Sequence, residues 1–116
     1  MTEDDRRLVL VRELLEFSKP VDEVARNLAQ FSWDFEATGV VLTRKHIANV
    51  LRRFLNRELT SDQVVDWANA VEGRDDVEYS ADQDQILSQS VFELANPLLT
   101  ERLSDERAIE LLNILE

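Results

Sequence analysis

His46 is the single histidine of the chain and stands beside Arg44 and Lys45. A general base needs an orienting carboxylate, which here only long-range folding could bring; an exposed or capping histidine is the expectation. Asp62 and Asp66 are four residues apart and share one face of a helix, the spacing of paired carboxylates that hold a metal or divide acid and base roles. In a chain with 24 Asp and Glu such a pair arises by chance, and we expect neither metal nor catalytic use. Ser80-x-Asp82-x-Asp84 opens like a calcium loop, but its sixth position is Gln85 instead of Gly and its twelfth is Val91 instead of Glu. Gly39 and Gly73 stand alone, so there is no glycine-rich phosphate loop, and no Gly-x-Ser-x-Gly elbow is present. The absence of cysteine rules out disulfides, zinc–thiolate sites and thiol catalysis. The expectation is a protein that is not an enzyme and needs no cofactor or metal.

The elements around these residues read as helices. Gly and Pro number two each, and apolar residues recur at spacings of three and four. Leu8, Val11, Leu14, Leu15 and Phe17 mark a first helix over about residues 4–17. Pro20 opens a second with Val21, Val24, Ala25, Leu28 and Phe31. Residues 32–42 read as irregular, with Trp33 among them, and end in a short β-branched stretch, Val40-Val41-Leu42. Thr43 caps a third helix carrying Ile47, Val50, Leu51, Phe54 and Leu55. Thr60-Ser61-Asp62-Gln63 is a capping box that starts a fourth, with Val64, Trp67, Ala68 and Val71, which Gly73 ends. Arg74 to Tyr79 is a polar connection with room for a two-residue pairing to Val40–Leu42. A fifth helix carries Ile86, Leu87, Val91, Leu94 and Ala95 and stops at Asn96-Pro97. Ser104 caps a sixth with Ala108, Leu111, Leu112 and Leu115. Leu14, Leu28, Leu51, Phe54, Leu94 and Leu111 are expected in the core, and Trp67 with them. A faint repeat superposes Arg12–Asn27 on Arg52–Trp67 at an offset of 40 (52 − 12). The expected fold is all-α, one domain over residues 1–116: a bundle of five or six short helices with at most one minimal two-stranded pairing.

Charge is unevenly spread along this domain. Residues 1–57 hold ten bases and nine acids. Residues 58–84 hold one base and nine acids, net −8, and residues 85–116 two bases and six acids; the whole carries −11. A solvated acidic face, balanced in part by the basic third helix (Arg44, Lys45, Arg52, Arg53, Arg57), accounts for this pattern. So does a surface that attracts a basic partner by matched potentials. Nucleic acid fits poorly, because its phosphates meet a strong negative field. The third and fourth helices, joined by Glu58-Leu59, do resemble a helix-turn-helix. The fourth, however, offers Asp62, Asp66 and Glu72 where a recognition helix presents Arg, Lys, Asn or Gln. No apolar run reaches the roughly 18 residues of a membrane span, and the acidic start is unlike a signal peptide. A soluble, cytoplasmic protein is expected.

Asp76-Val77-Glu78-Tyr79 places an acid three residues before a tyrosine. In this spacing, and in being short, acidic and helical, the chain resembles the nuclease-colicin type of bacterial immunity protein. That family's binding helix carries an acid, two further residues and an exposed tyrosine. The chain extends past Tyr79 with two further predicted helices. The resemblance implies an inhibitor that occludes a basic toxin domain with an acidic face. The expected partner-binding residues are Asp62, Asp66, Asp75, Asp76, Glu78 and Tyr79, with Tyr79 as exposed anchor and the acids setting the association rate. A structural or adaptor subunit that forms a homo-oligomer or docks in a larger complex, and a helix-turn-helix regulator of DNA, are the alternatives.

Overall fold

Side-chain caps set where most of the helices begin. In the computed structural model, which describes residues 2–31 and 38–116, the elements run α1 (Glu3–Glu16), α2 (Val21–Leu28), β1 (Val40–Leu42), α3 (Arg44–Leu55), α4 (Ser61–Val71), β2 (Val77–Tyr79), α5 (Asp84–Ala95) and α6 (Asp105–Leu115). The expectations for Trp33 and the rest of 32–37 lie outside the described residues. Thr2, Thr60 and Ser104 each accept a backbone N–H from the residue three positions on. Leu59 and Leu103, which precede two of these caps, are buried, as are Val64 and Ala108 one turn into the helices they staple. Removing the cap of α4 by Thr60→Ala is expected to cost about 1 kcal/mol, read as a lowered urea midpoint at unchanged slope. Gln63 Oε1 also accepts the Thr60 N–H at 2.8 Å.

His46 is itself a cap. The Thr43 N–H donates to its Nδ1 at 3.0 Å, the reciprocal arm of a capping box with histidine in place of Glu or Gln. That bond requires an unprotonated Nδ1. Burial pushes the His46 pKa below 6.5, against an upward pull from Glu16. A folded-state pKa below the unfolded value means stability that is fully present above 6.5 and is lost as pH falls through the lower folded value. His46→Gln, which keeps an acceptor but cannot titrate, is expected to remove this part of the decline as pH falls below 6.5. Parallel slopes for both proteins in pH-dependent urea titrations would disprove the capping role.

The helical plan expected from spacing is present, with six helices among the described residues and a minimal sheet. The α1–α2 and α3–α4 hairpins turn alike. Phe17 and Arg57, at the offset of 40 (57 − 17), both end their helices in the left-handed region, at φ 50° and 66°. In each turn the next residue donates back to a carbonyl five positions earlier, Ser18 to Glu13 and Glu58 to Arg53, the Schellman closure. The faint sequence repeat thus has a geometric counterpart. α4 packs chiefly on α5, α3 on α6 and α1 on α2. The shared core takes in Leu14, Leu28, Leu51, Phe54, Leu94 and Leu111. Trp67 lies at its centre, fully buried, with Nε1 donating to the Leu14 carbonyl at 2.8 Å. Ala25 and Ile86, expected on the apolar faces, are exposed.

The pairing of β1 with β2 is parallel and three residues long, one longer than expected: Val40 faces Val77, Val41 Glu78 and Leu42 Tyr79. Gly39 permits it. A Cβ there would stand 2.5 Å from the Asp76 carbonyl oxygen, the atom that accepts the Val40 N–H. Among the described residues no helix is long and apolar enough to cross a membrane.

Candidate partner-binding site

α4 buries Val64, Trp67, Ala68 and Val71, and the same 3.6-residue period turns Asp62 and Asp66 outward. Both are exposed, as is Asp75 in the connection that follows. Asp82 and Asp84 are exposed as well; Asp82 Oδ1 accepts the Ser80 hydroxyl at 3.0 Å, so the calcium-like spacing forms a local turn.

Asp76 departs from the expected site. Its side chain is 0% exposed, held by Arg74 Nε and Nη2 at 2.8 and 2.9 Å and by Arg7 Nε at 2.8 Å. Burial by itself would raise the Asp76 pKa, but the hydrogen bonds and charges of Arg74 and Arg7 outweigh it and hold the carboxyl below 3.8. This carboxylate ties α1 to the connection before β2 and is withdrawn from any partner. The reason lies one residue on: Val77 enters a strand, and with Val77 buried the chain at Asp76 is drawn under α1.

Tyr79 also departs from expectation. In place of an exposed loop residue it is the last residue of β2, half-buried and packed against the core. Strand alternation puts Glu78 out, where its Oε2 accepts the Gly39 N–H at 2.7 Å. Burial and the nearby Glu72 charge raise the Tyr79 pKa above 10. Tyr79 lines a groove of about 580 Å³ between the end of α4 and α5, together with Glu72, Ser88, Phe92 and Glu93.

Sequence reasoning missed Phe92, which is 45% exposed. The signal was available: on α5 the buried stripe is Leu87, Val91, Leu94 and Ala95, and Phe92 falls off it. The turn after α5 adds Leu98 and Leu99, 100% and 75% exposed. Glu72 is half-buried in the groove wall.

The basic face of α3 is largely engaged within the chain. Arg57 makes a bidentate pair with Asp105 at 2.9 and 2.7 Å, which lowers the Asp105 pKa. Arg52 pairs with Glu116. Arg53 donates to the Phe17 carbonyl at 2.8 Å, lies 5.0 Å from the Phe17 ring centre and pairs with Glu58.

The arrangement defines a helical domain with several exposed acids and a groove lined by Tyr79 and Phe92. Comparison with known proteins finds no matching family model, curated relative or solved structure.

Proposed function

We propose that this chain is a non-enzymatic, acidic protein-binding module, an immunity-type inhibitor that occludes a basic toxin domain. One observation carries the reading. Of the nine acids in residues 58–84, six are exposed and form no ion pair among the described residues: Asp62, Asp66, Asp75, Glu78, Asp82 and Asp84. Of the five cations at positions 44–57, Arg52, Arg53 and Arg57 are paired with other acids, Glu116, Glu58 and Asp105. Folding therefore leaves the negative charge of this segment facing water, where it accelerates encounter with a positive surface. The same pairing takes three of these five cations from a phosphate backbone, which weighs against the DNA reading. Self-association through Leu98 and Leu99 would bring together two chains of net charge −11, which opposes it.

The test requires a neighbouring reading frame that encodes a large secreted protein with a basic C-terminal domain, and uses that domain. Co-expression with this chain is expected to relieve that domain's toxicity, and the purified pair to associate at a salt-dependent rate. Neutralising Asp62, Asp66, Asp75 and Glu78 together (Asn, Asn, Asn and Gln) is expected to slow association about tenfold or more at low salt, with little change in dissociation. Unrelieved toxicity would sink the proposal, as would unchanged rates alongside binding lost on substituting Arg44 and Lys45.

A further inference from the structure

The groove between α4 and α5 has an asymmetric charge inventory. Both oxygens of Glu93 are occupied by Arg107, at 2.7 and 2.6 Å. Among the described residues Glu72 has only a long contact from Asn96 Nδ2, at 3.5 Å. No Lys or Arg is among the described residues lining the groove. One half-buried carboxylate thus faces a space that also offers two aromatic side chains, Phe92 and Tyr79. An apolar occupant would take Glu72 out of water without compensation, and an anion would be repelled. A cation gains from the carboxylate and from the ring faces together. Among cations, a planar guanidinium can lie on a ring and meet a carboxylate with two parallel N–H groups, which a compact ammonium cannot do.

We infer that this groove receives an arginine side chain of the basic partner, paired with Glu72 and stacked on Phe92 or Tyr79. The inference rests on the partner being basic, and it names the anchor that acids on an open face do not provide. Arginine is enriched among the residues that dominate interface energies, and it acts best in a pocket that excludes water. The open acids at Asp62, Asp66 and Asp75 would govern approach, and the groove would govern residence time.

The probes are N-acetyl-arginine methylamide, its neutral citrulline counterpart and the lysine analogue, titrated at low salt against the intact protein with side-chain NMR detection. The arginine probe is expected to shift the ring resonances of Tyr79 and Phe92 saturably, the lysine probe more weakly, and the citrulline probe not at all. Glu72→Gln and Phe92→Leu are each expected to weaken arginine binding about fivefold or more, with unchanged circular dichroism. Neutralising Asp62 and Asp66 is expected to leave it unaltered. Equal binding of citrulline or lysine overturns the assignment, as do shifts spread over Asp62, Asp66 and Asp75 that ignore Glu72→Gln. Toxin-domain binding reads the wider function separately. If the domain binds while the arginine probe leaves the groove silent, the groove assignment alone falls; if the groove takes arginine but no toxin domain is neutralised, the inhibitor reading alone falls.

Discussion

Asp76→Ala is expected to destabilise the fold by about 3–5 kcal/mol, the cost of removing one member of a buried charge cluster. Three guanidinium N–H groups converge on this carboxylate, one from Arg7 in α1 and two from Arg74. A buried ion pair is by itself weak evidence of net stabilisation, since desolvation offsets much of its attraction. Removing only the anion is different: the desolvation of the cations is retained while their partner is lost. Asp76→Asn, which keeps acceptor capacity without charge, is expected to fall between wild type and alanine. The pH dependence follows the same logic. The folded pKa is depressed below 3.8, so the stabilisation is complete above that value and disappears as pH falls through the folded pKa. The alanine variant should lack this component of acid unfolding. Because Asp76 is buried, the folded fraction of the variant should associate with a basic partner at the wild-type rate, where the sequence alone led us to expect slower association. Equilibrium urea unfolding measures the first effect and stopped-flow association the second. A loss below about 1 kcal/mol, the scale of an exposed pair, would show that the cluster contributes only as a surface ion pair does.

Trp67→Ala is expected to cost a further large amount, about 3–5 kcal/mol. The indole is fully buried where α4 meets α1, and truncation leaves a cavity that helices pinned by caps at both hairpins cannot easily close. Trp67→Phe separates ring volume from hydrogen bonding. It deletes the donor to the Leu14 carbonyl, but that oxygen also accepts the Phe17 N–H at 3.0 Å, so the expected loss is nearer 1–2 kcal/mol. Against a typical domain stability of about 5–15 kcal/mol, the alanine variant is expected to be partly unfolded at elevated temperature. An unchanged thermal midpoint would contradict the packing described.

What the sequence determined by itself is local. Thr60 and Ser104 set helix starts because a side-chain oxygen and an amide three residues on meet within one turn. Spacings of three and four picked out Leu14, Leu51, Val64, Trp67 and Leu111 as core because a helix returns to the same face at that period. The excess of acid in residues 58–84 was equally plain, and so was the shared helix face of Asp62 and Asp66.

The tertiary structure alone decided which charges stay free and which residues form the groove. Arg7 meets Asp76 across 69 residues and Arg57 meets Asp105 across 48, separations over which no local periodicity carries information. Asp75 and Asp76 are neighbours of one type, yet one faces water and the other is buried. The difference is made by the parallel pairing of β2 with β1, which draws Asp76 beneath α1. The same pairing half-buries Tyr79 and sets it beside Glu72. Phe92 joins them only because α5 packs its Leu87 stripe on α4 and leaves the adjoining face open. A site assembled from the end of one helix, a strand and the flank of another depends on packing, and packing is where side chains distant in sequence first meet.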